Sequence, residues 1–367
     1  MAFVSSYGSL GGSEIYLERL LGHLDRSYVH CVIALGAGPI VERLRRAGLP
    51  VTIVATSGNP RSFVFAAWKV RRLLLAARPD VVHANGLKAA IVTALATAGT
   101  RLPVVWVRHD FSMEGWRARL LGRKCRLVVC VSHSLARTFR GALSRKVHVI
   151  HTGVPALNVE RDGARQHVRG VISEPEADPI ISLVGHLIPG KGHLELIEIA
   201  PQLTERLPNV RILFVGGPPA DRYAGHVERL KARVAELGLG EAAAFLGERQ
   251  DPLTMIAGSD LVVMPSVSSY GPIETEGFPV LALEALAVGT PVVGYAVGGL
   301  PELVADCGSL VPSRDREGLR DAILRVATDT GVWERMSACG RERARASFSM
   351  AEMIGRMQHV YDLAARR

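Results

Sequence analysis

The sequence predicts an α/β protein made of two doubly wound parallel-sheet domains. Two observations carry that expectation. Short β-branched runs alternate with longer helical patterns. The rhythm then breaks once, at a polar stretch over residues 155–179 containing Gly163, Gly170, Pro175 and Pro179, and restarts. Length agrees: 367 residues suit two domains, at about 150 residues each. A hydrophobic content of 48% is enough for two cores.

In the first half the strand-like runs are 29–35, 51–55, 81–84, 104–107, 127–131 and 147–150, with helical patterns such as 14–24 and 64–77 between them. In the second they are 180–184, 210–215, 243–246, 261–264 and 291–295, followed by a helical tail over 350–365. The expected organisation is an N-terminal domain over 1–160, a linker over 161–178, a C-terminal domain over 179–348 and a last helix over 349–367 that packs back on the N-terminal domain. Each half is Rossmann-like. Ligands of such sheets bind at the carboxyl ends of the strands, so a central cleft between two facing halves is the expected site.

Composition narrows the function. The formal net charge is +9, and the basic residues gather in the first half: Arg43, Arg45, Arg46, then Arg71, Arg72, then Arg117, Arg119, Arg123, Lys124, Arg126. A solvated, arginine-rich surface explains this. Attraction to an anionic membrane surface or a phosphorylated substrate is the sharper alternative. Nucleic acid is disfavoured, because no aromatic residues interleave with the basic ones and aromatic content is 5%. The five cysteines are odd in number and lack CxxC spacing, which argues for a reducing compartment and against zinc. The N-terminal residues Met1–Gly8 lack the pattern of a secretory signal, and no apolar run of about 18 residues exists to cross a bilayer. A cytoplasmic protein is expected, with peripheral contact at the inner membrane face through the basic first domain left open.

The most informative segment is Glu276-Gly-Phe-Pro-Val-Leu-Ala-Leu-Glu284, two carboxylates eight positions apart. A helix begins near Pro279, a residue suited to a first helical position. Glu276 then stands in the loop before it, and Glu284 lies just over one turn in. A helix N-terminus attracts phosphate, so carboxylates here serve to accept hydrogen bonds from sugar hydroxyls. Two glycine turns flank the expected strand ends. Gly8-Ser-Leu-Gly11-Gly12-Ser13-Glu14 opens a helix but lacks the full G-x-G-x-x-G pattern, so a structural turn explains it equally. Val184-Gly185-His186-Leu-Ile-Pro189-Gly190-Lys191-Gly192 places a lysine between glycines, where it suits a diphosphate as a point charge. It is not a Walker loop, because the required spacing is absent. Gly298-Gly299 either lets backbone amides reach the same phosphates or is a plain turn.

These residues resemble the retaining GT-B glycosyltransferases of the family 4 type (glycosyl transferases group 1). The likeness runs from about Ile180 to the C-terminus through Gly190-Lys191-Gly192, Leu213-Phe-Val-Gly216-Gly217-Pro218, Phe245-Leu-Gly247, Asp260-Leu-Val-Val-Met-Pro265-Ser266, the Glu276/Glu284 pair, Gly289-Thr-Pro-Val-Val293 and Gly298-Gly299-Leu-Pro-Glu302. The first half matches more loosely, at Gly11-Gly12-Ser-Glu14, Pro79-Asp-Val-Val-His83, His109-Asp110, Val131-Ser132-His-Ser and Val149-Ile-His-Thr-Gly153.

The resemblance implies roles. Lys191 holds the donor diphosphate, Glu284 the ribose and Glu276 the transferred sugar, with Gly277, Phe278 and Pro279 beside them. Gly11 and Gly12 approach from the first domain, His109 lies near the donor sugar, and Gly216, Gly247 and Arg249 border the nucleotide. His83 stays structural. The family commonly has an arginine where this chain has His186, which is only partly charged near neutral pH. Nine residues, Val267 to Thr275, replace a shorter family loop beside the donor sugar, and they are expected either to tune sugar or acceptor choice or to be a surface insertion. No D-x-D occurs, so no metal and no other cofactor is expected. Leaving-group stabilisation then falls to Lys191 and helix amides. The family's retention of configuration implies front-face attack, with Glu276 positioning the sugar rather than forming a covalent bond.

The expected activity is transfer from a nucleotide diphosphate sugar, UDP before GDP. The acceptor is a small molecule such as an aminoglycoside, or a lipid-linked or cell-surface glycan intermediate. A GT-B epimerase and a non-catalytic anionic-surface binder are the competing classes.

Overall fold

The computed structural model describes residues 1–8, 11–57, 59–267 and 276–366. They form two compact units, Met1–Gly153 with Phe348–Arg367, and Val154–Ser347.

The first unit holds, in chain order, β1 (Ala2–Ser5), α1 (Gly12–His23), β2 (Cys31–Ala34), α2 (Pro39–Arg46), β3 (Val51–Ile53), α3 (Pro60–Ala77), β4 (Val82–Asn85), α4 (Leu87–Ala96), β5 (Val104–Arg108), α5 (Gly115–Lys124), β6 (Leu127–Cys130), α6 (His133–Ala136) and β7 (Val147–Val149). The strands form a 7-stranded sheet ordered β3-β2-β1-β4-β5-β6-β7, parallel at every pairing. Val4 sits opposite Ile33 on one side and Ala84 on the other. The central strands are buried throughout, and this is why they read as near-continuous apolar runs rather than alternating ones. The chain moves one way across the sheet through α1 and α2 and the other way through α3, α4 and α5. Right-handed crossovers therefore put these two helix sets on opposite faces.

The second unit holds α7 (Arg161–Ile172), β8 (Ile180–Val184), α8 (His193–Arg206), β9 (Arg211–Val215), α9 (Ala224–Glu236), β10 (Ala243–Gly247), α10 (Pro252–Ala257), β11 (Leu261–Met264), α11 (Val280–Val288), β12 (Val292–Tyr295), α12 (Leu300–Val304), β13 (Ser309–Val311), α13 (Arg316–Thr328) and α14 (Thr330–Ser347). Its 6-stranded parallel sheet is ordered β10-β9-β8-β11-β12-β13. A core of Ile181, Leu183, Ile212, Phe214, Val263 and Val293 from the strands packs against Leu196, Ile197, Leu203 and Ile323 from the helices. The chain then re-enters the first unit as α15 (Met350–Ala365), capped by Ser349, whose side chain accepts from Glu352 N–H. This helix buries Met353, Met357, Val360 and Tyr361, and the Tyr361 hydroxyl meets Nδ1 of the buried His83 at 2.8 Å.

Three expectations change. The segment taken as a linker over 161–178 is largely α7, capped by Glu160 and packed on α10. Its apolar stripe, Ala164, Val168, Val171 and Ile172, recurs at helical spacing, but its glycines and the charged or polar side chains around it look like a linker's. Cys307 and Cys339 form a disulfide, leaving Cys31, Cys125 and Cys130 as thiols. The cysteine pattern therefore does not speak for a reducing compartment. Aromatic and basic residues do interleave: Lys69 lies 4.5 Å from the Phe65 ring centre, and Arg72 lies 5.0 Å from that of Trp68. These partners are four residues apart, one helical turn, though Trp68-Lys69 and Trp116-Arg117 are also direct neighbours in the sequence. Among the described residues, no helix is long and apolar enough to cross a membrane.

Candidate active site

In the second unit the expected residues gather around the carboxyl ends of β8, β11 and β12. Three strand ends approach backbone to backbone. Gly185 N–H bonds the Val215 carbonyl and Gly216 N–H bonds the Gly247 carbonyl, each at 2.8 Å. A Cβ on Gly216, which has φ +143°, would meet the Gly185 carbonyl at 1.9 Å, so this position admits only glycine. Beyond Gly185 the chain turns through Pro189–Lys191, and Gly192 sits so close to the Pro265 carbonyl that a Cβ would lie 1.8 Å from it. That contact seats Lys191 beside the end of β11.

Lys191 Nζ donates to Glu276 Oε1 at 2.6 Å, and Ser266 Oγ donates to the same oxygen at 2.6 Å. Glu276 is buried, and its carbonyl accepts from Gly299 N–H at 2.9 Å. The Gly299 amide is thus committed to holding Glu276, not to reaching phosphates. Gly277, Phe278 and Pro279 lead into α11, with Phe278 buried and Pro279 at the N-cap. The helix starts one residue later than the proline rule suggests. Glu284 is buried on α11, and its neighbours leave this helix apolar around most of its circumference. Partial desolvation first, and the Lys191 charge second, hold the His186 imidazole below its ordinary value. It is neutral at pH 7 and does not replace the arginine's charge.

Arg249, just beyond β10, is paired. Its guanidinium makes two bonds to Asp251, at 2.7 and 2.8 Å, and His167 Nε2 meets the same carboxylate at 2.7 Å. Hydrogen bonding from Arg249 pulls Asp251 down to about 2. Gly247 is a turn at the end of β10 with φ +67° and open space around it. The loop expected to tune sugar choice lies outside the described residues from Ser268 to Thr275.

In the first unit a second polar group forms. Gly11 is the N-cap of α1 and Gly12 its first residue. Asn85, at the end of β4, donates Nδ2 to the Ser13 carbonyl at 2.8 Å, and its Oδ1 lies 2.7 Å from His109 Nε2. The first bond fixes the amide orientation, so His109 Nε2 must be the donor. Burial drives His109 down to about 3, and the ring is neutral. Glu14 is buried, with Oε2 accepting from Ser13 Oγ at 2.6 Å and Oε1 without a partner among the described residues. Desolvation raises it to about 7. Sequence reasoning missed Asn85, Ser266 and the buried state of Glu14. The one signal for Asn85 and Ser266 was a polar residue closing a β-branched run.

Comparison with known proteins now bears on both units. The family described as Glycosyl transferases group 1 matches residues 164–343, and Glycosyltransferase Family 4 matches residues 10–156. The chain is 35% identical over 382 residues to the D-inositol 3-phosphate glycosyltransferase of Mycobacterium tuberculosis, covering 93% of this chain and 76% of that protein. This chain belongs to the GT-B glycosyltransferases of the group 1, family 4 type. The D-inositol 3-phosphate glycosyltransferase of Mycolicibacterium smegmatis is 34% identical over 224 residues, and the chain spans only 48% of that relative's length. Among solved structures, Anabaena HepE in complex with UDP and glucose has a TM-score of 0.85 at 22% identity, covering 98% of each chain. Sucrose-phosphate synthase from Thermosynechococcus elongatus has a TM-score of 0.76 at 20% identity, again over 98% of each chain. At these identities the shared property is the fold: two parallel-sheet, Rossmann-like domains.

Proposed function

We propose that this glycosyltransferase moves a sugar from a UDP-sugar to a hydroxyl of a bacterial acceptor, with retention at the anomeric carbon and without a metal. The observation that carries the reading is the Lys191–Glu276–Ser266 cluster at the strand ends of the second unit. An ammonium and a carboxylate 2.6 Å apart offer two adjacent and opposite functions. Lys191 would meet the diphosphate as a point charge and stabilise the departing UDP. Glu276 would accept from sugar hydroxyls through Oε2, its Oε1 being committed to Lys191 and Ser266. A carboxylate tied this way is a poor nucleophile, which supports positioning over covalent catalysis. The proton of the attacking hydroxyl then passes to a donor phosphate oxygen, and the new bond forms on the face the nucleotide leaves. Glu284 would bind the ribose hydroxyls. Leaving-group charge is assigned to Lys191 and backbone amides, in keeping with a sequence that has no D-x-D.

UDP is favoured over GDP because HepE was solved with UDP and with UDP-glucose. Gly11, Gly12 and His109 keep their expected roles beside the donor sugar, with Asn85 holding His109, and the acceptor is assigned to the first unit. A neutral His109 can donate and accept but adds no charge. A hydroxyl-rich small molecule or glycolipid headgroup suits it; the relatives named for D-inositol 3-phosphate share the hydroxyl-rich ring but add a phosphate charge that a neutral His109 does not answer. A thermal-shift series with UDP, GDP and their sugars tests the donor. Ligand at about 100 times its Kd stabilises the native state by about 2.7 kcal/mol, so UDP should raise the melting temperature by several degrees and GDP by less. Equal shifts, or none, would overturn the assignment.

A further inference from the structure

We propose that the outer layer formed by α3, α4 and α5 docks on an anionic lipid bilayer. The proposal stands on this layer alone and does not depend on the transfer reaction.

Ten large apolar side chains are exposed among the described residues, and seven of them lie on these three helices. Val64, Phe65, Trp68 and Leu75 are on α3, Leu95 is on α4, and Trp116 and Leu120 are on α5. A soluble helix normally turns one apolar stripe inward and a polar face outward. α3 is apolar on both. Ala66, Val70 and Leu74 are buried inward, while positions 61, 64, 65, 68, 69, 72 and 75 recur at helical spacing on the outer face. The three helices side by side, α3 packed along α4 and α4 against α5, keep these residues in one layer.

The charge of the layer is one-sided. The three helices carry nine Lys and Arg and no Asp or Glu. Two cations turn inward, Lys88 to the Leu35 carbonyl and Arg71 to the Ala96 and Ala98 carbonyls. Lys69, Arg72 and Arg117 lie over the rings of Phe65, Trp68 and Trp116. The opposite face differs: Arg43 and Arg45 of α2 pair with Glu18 and Glu42.

Cations beside exposed aliphatic and aromatic groups match one surface best. An anionic bilayer accepts lysine and arginine at its headgroups and takes tryptophan and leucine at the boundary of its acyl region. Nucleic acid would satisfy the cations and stack the rings, but Val64, Leu75, Leu95 and Leu120 would gain little. A second copy of this face would set cations against cations.

The test is sedimentation of the full chain with phosphatidylcholine vesicles and with vesicles rich in phosphatidylglycerol, and with duplex and single-stranded DNA at the same salt. Binding is expected only to the anionic vesicles, weakening with added salt and accompanied by a blue shift of tryptophan emission. Each cation contributes about a fivefold effect, so the pair Lys69→Glu and Arg72→Glu should lower partitioning by at least about 25-fold. The exposed pair Phe65→Ser and Trp68→Ser should lower it at least tenfold, while Arg43→Glu on α2 leaves it unchanged. Circular dichroism confirms that each variant is folded. No binding to anionic vesicles, variants that bind like the parent, or tighter binding to DNA than to vesicles would each overturn the proposal.

Discussion

Glu14 lies in the first turn of α1, buried with one oxygen unpartnered among the described residues, and burial raises it from 4.5 to about 7. The folded state therefore holds this proton more tightly than the unfolded chain does. The resulting penalty is absent below pH 4.5, grows as pH rises toward 7 and is constant above. A shift of this size is worth about 3 kcal/mol. Glu14→Gln should match the parent at acid pH and be more stable by up to that amount at pH 8, measured by denaturant unfolding across pH. An identical pH profile would contradict the burial argument. At this scale Lys191 and Glu276 stood out in the sequence as a lysine between glycines and a carboxylate in a Gly/Pro turn, and the fold brings the two side chains together. His186 was legible as a departure, but its neutrality was not, since that depends on desolvation and on Lys191 nearby. The pairing of Arg249 with Asp251 was not legible, because nothing in sequence reveals that the carboxylate two residues on turns to the guanidinium.

The elements nearest the site depend on backbone contacts that only glycine allows. Gly298 has φ +57°, and a Cβ there would lie 1.8 Å from the Glu276 carbonyl. Gly298→Ala should cost at least about 2 kcal/mol through left-handed strain and displacement of that loop. Gly225→Ala, in open space on α9, should be neutral or stabilising by up to about 1 kcal/mol. Chemical denaturation of the two variants checks the contrast, and equal effects would sink it. Most strands were read to within a few residues because their apolar runs stand out, but the buried central strand β1 over Ala2–Ser5 was given no bounds. The helix α7 was not read although Ala164, Val168, Val171 and Ile172 recur at helical spacing, because its glycines and dense polar residues look like a linker's. The edge strand β13, Ser309–Val311, was not read, because it sits between Gly308 and Pro312 without the β-branched run that marked the equally short β3 and β7.

For the whole molecule, two parallel sheets were implied by the restart of the β-α rhythm, and the family match fits the same division. The C-terminal helix closes the first unit with a buried polar contact, Tyr361 to His83. Tyr361→Phe would leave the histidine nitrogen unsatisfied at a cost of about 1–3 kcal/mol. Equilibrium unfolding of the full chain would register this, and an unchanged midpoint would mean the hydroxyl contributes nothing. The central claim is that Lys191 holds the diphosphate of a uridine nucleotide. It is tested most directly by calorimetric titration of UDP into the parent and into Lys191→Ala. A charge-assisted contact is worth about 1.5–3 kcal/mol, so the variant should bind UDP at least tenfold more weakly, with circular dichroism confirming that it stays folded although its buried Glu276 has lost a partner. Equal UDP affinity in the two proteins would contradict the account.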